Sequence, residues 1–395
     1  MPPLGASHCD SSKLDASANA ASIKGNAPPS RLQQHHVPGQ TTYLDMRHHT
    51  SPDVLVTGSS GHLGRALMLS LHSHGHTPLG ADVLPSETTH RQGSIADRSF
   101  VESLFRENPG LRHVIHAATL HKPHVGSHSK ADFVDVNITG TLNLLEAAAA
   151  TRDAQGRDGI KSFVFVSTTS AFGHALSGRA GRAAWIDEDV APVPKNIYGA
   201  TKTAAEDLCR LVHAQAGMPT VVLRTARFFP EEDDDDARRA AAPQDGNLKV
   251  LELAHRRVDI ADVVGACVCA MRTASGGGGD GPFWGRYVVS APTPFGRQDE
   301  TLRRLGGGEA AAVYKECVPG IEAAFARAGW EFLPTVDRVY DASRAMRDLG
   351  WRPEYTIERA VEKVARGEEW RSELTLLVGK LGYHETAQGV YTTRG

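Results

Sequence analysis

Residues 54–64 read Val54-Leu55-Val56-Thr57-Gly58-Ser59-Ser60-Gly61-His62-Leu63-Gly64. An apolar run ends in glycines spaced G-x-x-G-x-x-G, and an amphipathic stretch, Gly61–His74, follows. That order predicts a strand, a tight turn and a helix. Glycine permits the turn and lets the backbone approach a ligand closely. The first amides of the helix, with its dipole, then hold negative charge, so the loop suits a pyrophosphate. The spacing alone is common. Its place between strand and helix gives it meaning.

Outward from this stretch, short apolar runs alternate with helical patterns. Strands are expected at Asp53–Thr57, Thr77–Asp82, His113–Ala117, Ser162–Ser167 and Thr220–Arg224. Helices are expected at Gly61–His74, Arg98–Glu107, Lys130–Ala150 and Tyr198–Ala216. Strands separated by helices pair in parallel through right-handed crossovers. The fold class is therefore α/β, a doubly wound parallel sheet. After Arg224 the pattern loosens. Glu231–Asp236 and Ser275–Gly281 read as surface loops, the acidic one alternatively as a gate. His255–Asp262 and Arg286–Ser290 read as short strands, and Pro319–Ala328 and Asp341–Leu349 as helices of a smaller domain at the carboxyl edge of the sheet. The expected division is a tail over 1–50, a dinucleotide-binding domain over 51–227 with returning segments near 255–275, an interleaved substrate-binding region over 228–370, and an extension over 371–395.

Composition narrows the function classes. The 395 residues carry 43 Lys+Arg against 46 Asp+Glu, a net charge of −3, so no basic face for nucleic acid is expected. Hydrophobic residues at 41% and charged residues at 23% are ordinary for a soluble chain. No apolar run of about 18 residues exists to cross a membrane. Residues 1–50 are rich in Ser, Ala, Pro, Gln and His, with no aromatic before Tyr43. Such a segment buries too little to offset its ordering entropy and is expected to be disordered. It lacks the apolar core of a secretory signal, and Asp10 and Asp15 oppose the rival reading as a transit peptide. Cys267 and Cys269 lack the second pair a zinc site wants, so reduced thiols and a cytoplasmic setting are expected. His72, His74 and His76, and likewise His121, His124 and His128, lack carboxylate companions at ligand spacing, so no metal site is expected.

Three further features carry chemistry. Asp82 ends the second strand, 24 residues after Gly58, where an acid bonds adenosine ribose hydroxyls and repels a 2′-phosphate. This favours NAD over NADP. Tyr198-Gly199-Ala200-Thr201-Lys202 places a phenol and an ammonium on one helix face. The ammonium favours phenolate, which makes Tyr198 a general base for an alcohol. The strand Phe163–Ser167 runs into Thr168-Thr169-Ser170, which places hydroxyls at the carboxyl end of a central strand, where open sheets bind ligands. Thr168 is the first choice to hold the substrate oxygen and Ser167 the next.

Together these residues resemble the extended, NAD-dependent epimerase/dehydratase branch of the short-chain dehydrogenase/reductase superfamily, from about Asp53 to Val364. The resemblance implies a Rossmann-type sheet with a smaller, mostly C-terminal substrate domain. It assigns Thr168, Tyr198 and Lys202 as the catalytic set. It places Gly58, Ser60, Gly61, His62, Leu63, Gly64, Asp82, Ser94, Ile95, His116, Ala117, Ala118, Asn137 and Ser167 at the cofactor, with Tyr198 and Lys202. Leu349-Gly350-Trp351-Arg352-Pro353 is similar to the LGWxP ending of sugar-nucleotide members. Arg256-Arg257-Val258-Asp259-Ile260-Ala261-Asp262-Val263 is similar to a segment near the substrate diphosphate, with Arg257 expected at phosphate and the two acids structural. His121 and Thr169 are expected to touch substrate. A homodimer through the helices containing Lys130–Ala150 and Tyr198–Ala216 is implied.

Two departures matter. Dehydratases of this branch carry carboxylic acids after the catalytic threonine, where this chain has Thr169 and Ser170. Arg227 stands where many sugar-nucleotide members have Asn. It could bind an anionic group bidentately, or pair with the acidic run that follows. The expected activity is NAD-dependent hydride transfer at the carbinol of a small molecule, most simply nucleotide-sugar epimerisation. The alternatives are a dehydrogenase or reductase acting on another alcohol or ketone, and a catalytically silent NAD-binding sensor, against which the retained Tyr198 and Lys202 speak.

Overall fold

The glycine stretch emerges as the crossing point of a seven-stranded sheet. The computed structural model describes residues 51–155, 159–177, 181–230, 245–276 and 282–381. The expected tail over 1–50 and the acidic run lie outside the described residues, as do residues 277–281 of the glycine-rich loop.

Strand β1 (Val54–Thr57) pairs in parallel with β2 (Pro78–Asp82) on one side and β4 (His113–His116) on the other. With β3 (Arg91–Gln92), β5 (Ser162–Thr168), β7 (Thr220–Thr225) and β10 (Trp284–Val289) the order is β3-β2-β1-β4-β5-β7-β10. Every pairing in it is parallel. Side chains alternate between the two faces of a strand. Leu55, Val114, Phe163, Phe165 and Val222 enter the core beneath α2 (Arg98–Glu107), α4 (Gly140–Gln155) and α5 (Ile197–Ala216). Val54, Val56, Ile115, Val164, Val166 and Leu223 face α1 (His62–Ser70) and α7 (Ile260–Gly276). Burial on both faces is what turns these strands into near-continuous apolar runs.

Local chemistry fixes the helix ends. Asp97 accepts the Ser99 and Phe100 amides and starts α2, and Asn196 accepts the Gly199 amide and starts α5. Gly217, in the left-handed region at φ 61°, ends α5. The expected helix Lys130–Ala150 is divided: α3 (Lys130–Val134), a π turn (Asp135–Thr139), then α4.

Two expectations are corrected here. The short strand expected at Arg286–Ser290 in the smaller domain is Trp284–Val289, the edge strand of the main sheet, hydrogen-bonded along β7. The span His255–Asp262 holds only the short strand β9 (Arg257–Val258) before α7 begins at Ile260. Asp259 accepts the Ala261 amide at 2.8 Å and turns the chain into the helix.

The smaller region gathers α6 (Asp245–Leu253), α8 (Asp299–Gly306), α9 (Ala310–Cys317), α10 (Ile321–Ala328) and α12 (Ile357–Arg366) around a second apolar core that includes Leu251, Leu302, Phe325 and Val361. Two short parallel pairs join residues far apart in sequence: β6 (Ala184–Ile186) with β11 (Arg338–Tyr340), and β8 (Arg227–Phe228) with β9. Trp351 of the LGWxP stretch follows α11 (Ser343–Asp348); it is buried and donates to the Asp262 carbonyl at 3.0 Å. Asp259 also accepts from Ser372 and Thr375, which anchors α13 (Glu373–Val378).

Candidate active site

A cleft of about 1110 Å³ opens at the carboxyl ends of β1, β4, β5 and β7. Pockets for single small molecules are usually about 300–1,000 Å³, so this one has room for a dinucleotide beside a second ligand. Gly58, Ser60, Gly61, His62, Leu63, Gly64, Asp82, Ser94, Ile95, Ala117 and Ala118 line one end. Ser167, Thr168, Thr169, Tyr198, His121 and Arg227 line the other parts.

The glycine turn is built for close approach. Gly58 has φ +74°, and a Cβ there would lie 2.7 Å from the Ala118 nitrogen. A Cβ on Gly64 would lie 1.8 Å from the Gly58 carbonyl oxygen. At Gly61, by contrast, a Cβ would meet only that same carbonyl, at 3.5 Å, so the packing of the protein does not require glycine there. No side chain caps α1 and no acid occupies its first turn, whereas α2 and α5 are both capped. The open helix start and the free side of Gly61 fit a pyrophosphate. Asp82 accepts the Ser60 amide at 3.0 Å and the Leu84 amide at 2.9 Å, which holds its carboxylate at the cleft rim. His62 is buried, and burial lowers its pKa to about 4; the neutral ring accepts the Leu381 amide at 2.9 Å.

The residues expected to transfer the proton come from two elements, β5 and α5. Thr168 ends β5, and its Oγ1 accepts the Ser170 amide at 3.0 Å, which leaves the hydroxyl proton to donate. Tyr198 lies in the first turn of α5 and lines the cleft. Lys202, one turn on, is buried, donates to the Val166 carbonyl at 2.7 Å and sits 4.0 Å from the centroid of the Phe165 ring. Burial lowers its ammonium to about 7. Ser167 reaches the cleft wall, but its hydroxyl donates to Glu206 at 2.6 Å. Glu206 in turn holds the buried Arg224 through both carboxylate oxygens.

Like Lys202, three more residues expected at a ligand stand behind the wall instead. His116 is buried, with its ring between Thr57 Oγ1 at 2.8 Å and Thr141 Oγ1 at 3.0 Å. It is the last residue of β4 and points into the core, so Ala117 and Ala118 form the lining. Asn137 is buried too. Its carbonyl oxygen accepts from Thr119 Oγ1 and the Leu120 amide, and its nitrogen donates to the Leu120 carbonyl and Thr201 Oγ1. It positions the loop after β4 against α5. Arg257 is buried and pairs with Glu252 at 2.7 Å. Its neighbour Arg256, held by Glu252 at 3.1 Å, is the one that lines the cleft. Asp259 and Asp262 take structural places, Asp262 accepting the Glu354 and Tyr355 amides.

The structure adds Arg338 and Tyr340 of β11 to the lining, 140 residues and more beyond Tyr198. Arg338 pairs with Asp337. No local signal marks these residues; only the β6–β11 pairing brings them in.

A doubly wound sheet whose uncapped glycine turn opens into a cleft at the carboxyl ends of its strands has the form of a dinucleotide-binding protein. The chain belongs to the NAD dependent epimerase/dehydratase family, whose model matches residues 54–283. The UDP-glucose 4-epimerase of Rhizobium meliloti (strain 1021) is 31% identical over 180 residues, 44% of this chain. The chain spans about half the length of that relative, 50%. The GDP-6-deoxy-D-mannose reductase of Pseudomonas aeruginosa is 27% identical over 341 residues, 81% of this chain and 98% of the relative. Among solved structures, the UDP-glucose 4-epimerase of Thermotoga maritima with UDP-glucose superposes with a TM-score of 0.54 at 20% identity, over 80% of this chain and 97% of that one. That likeness concerns the fold.

Proposed function

We propose that the chain transfers hydride at a carbinol of a nucleotide sugar, in the manner of an epimerase. The observation that carries this reading is that Tyr198 and Thr168 open into the same cleft as the uncapped glycine turn, with Lys202 buried one helical turn from Tyr198. NAD, when bound, supplies the hydride acceptor and donor. Gly58, Gly61 and the start of α1 would hold its pyrophosphate, and Asp82 its adenosine ribose.

Thr168 donates its hydroxyl proton to the substrate oxygen and fixes it. Tyr198 takes the proton from that oxygen as the base. Its ordinary pKa is about 10, and the Lys202 ammonium favours the ionised form. With NAD bound, its hydride could be returned to either face of the substrate carbon, which would give epimerisation without net redox change. Thr169 and Ser170 supply no carboxylic acid, so water elimination has no acid at those positions. Arg227, Arg256 and Arg338, which also line the cleft, suit a diphosphate.

One observation favours a second reading, net reduction of a keto sugar: the match to the reductase runs over 98% of that relative. A homodimer through α4 and α5 is part of the proposal. Leu211 of α5 is exposed, as is Val134 at the end of α3.

The test is release of bound nucleotide by denaturation, together with turnover of UDP-glucose and UDP-galactose. About one NAD retained per chain and interconversion of the two sugars are expected. Tyr198→Phe should keep the NAD and the fold and lose roughly 10²–10⁴-fold in turnover. Undiminished turnover in that variant would overturn the assignment of the base.

A further inference from the structure

The opposite, amino edge of the sheet holds a second constellation, assembled from three neighbouring strands. Asp53 immediately precedes β1, His76 lies two residues before β2, and His113 opens β4. Backbone bonds lock the three together: the Asp53 amide donates to the Thr77 carbonyl at 3.0 Å, and the His113 amide to the Asp53 carbonyl at 3.0 Å. One carboxylate oxygen and one ring nitrogen from each histidine lie within 4.8 Å of one another. Asp53 Oδ2 and His76 Nδ1 are already 2.7 Å apart. The two imidazoles meet edge to face, 5.6 Å between centroids.

We propose that Asp53, His76 and His113 form a divalent transition-metal site of the zinc class. Zinc takes imidazole nitrogens at about 2.0–2.1 Å and carboxylate oxygens at about 2.0–2.2 Å, commonly with three protein ligands and a water. Tetrahedral ligands then stand about 3.3 Å apart, so the widest separation closes by at most about 1.5 Å while the Asp53–His76 pair opens by about 0.6 Å. Outer partners already hold the ligands in place. Asp53 Oδ1 accepts the Thr77 amide at 2.6 Å, while Ser162 Oγ at 2.9 Å and Ser275 Oγ at 3.4 Å engage the His113 ring. The His76 side chain is 17% exposed and that of Asp53 30%, which admits the ion and a water. The metal would tie together the starts of β1, β2 and β4. It stands across the sheet from the cleft, so its binding is separable from that of NAD.

The experiment is equilibrium dialysis of the full chain against ZnCl₂ at neutral pH, with thermal unfolding followed in parallel. One zinc per chain and a raised Tm are expected. His76→Gln and His113→Gln should each weaken zinc binding by more than about tenfold and remove the Tm shift, while NAD binding shows that both variants are folded. Failure of the wild-type chain to take up zinc overturns the proposal whatever the variants do. So does equal zinc affinity in the wild type and a folded double variant, which would place the metal elsewhere.

Discussion

Lys202 and Arg257 are both fully buried cations close to the cleft, and their surroundings differ in kind. Arg257 faces the Glu252 carboxylate at 2.7 Å, and Arg256 braces the same acid. Lys202 donates to a neutral carbonyl, and burial lowers its ammonium to about 7. The contrast runs between individual groups: Glu206 of α5 holds the buried Arg224 as Glu252 holds Arg257, while Lys202, one turn before Glu206, is left with a carbonyl partner and α1 starts uncapped. Groups satisfied by the protein hold its shape, whereas groups left for a ligand cost stability until that ligand arrives.

The sharpest way to break this comparison is Arg257→Met. It leaves Glu252 buried with one arginine fewer, and a loss of about 3–5 kcal/mol is expected in chemical denaturation. A neutral result would show that the pair contributes nothing to the fold.

Next comes a pair of glycine variants. Gly64→Ala drives a Cβ into the Gly58 carbonyl and should lower stability by about 3 kcal/mol. Gly61→Ala should leave Tm nearly unchanged and weaken NAD binding, read by titration, because its added methyl meets no close contact within the protein. Equal effects on Tm would erase the distinction between a glycine the fold needs and one the ligand needs.

The smallest effect has the opposite sign. Lys202→Met should abolish turnover yet stabilise the chain at neutral pH by about 1–2 kcal/mol. It relieves the burial of an ammonium and gives up one hydrogen bond to Val166. The pH dependence follows from the direction of the shift. The folded lysine releases its proton near 7 and the unfolded one near 10.5. Between those values the unfolded chain binds more protons, so wild-type stability rises with pH. The variant's advantage is therefore largest below about pH 7 and fades towards pH 10.5. An advantage that does not vary with pH would mean that Lys202 is not held as a depressed ammonium.

Much of the nucleotide side was legible because its signals are local. The helical pattern marks α2 at Arg98–Glu107, the limits the structure shows. Gly58, Gly64 and Asp82 stand in one turn and at one strand end, and they meet at one end of the cleft. Legibility failed where one residue of register decides the outcome. His116 and Ala117 are neighbours, as are Arg256 and Arg257, yet within each pair only one member lines the cleft. A strand sends successive side chains to opposite faces, and sequence does not say which face is which. The zinc-class triad escaped for a related reason. His76 was read with His72 and His74 on its own segment, while its partners Asp53 and His113 come from neighbouring strands.

By itself, the sequence determined the strand–helix alternation, the glycine turn, the Tyr198–Lys202 face and the hydroxyls after β5. Each of these depends on residues within about one helical turn or one strand. The tertiary structure decided that Trp284–Val289 joins β7, that Arg338 reaches the cleft through β11, that Arg257 turns inward to Glu252, and that three strand starts converge at the amino edge. Those outcomes depend on which strands pair and which faces are buried. Parallel pairing joins segments that local pattern cannot link, and burial then sorts adjacent side chains into core and cleft.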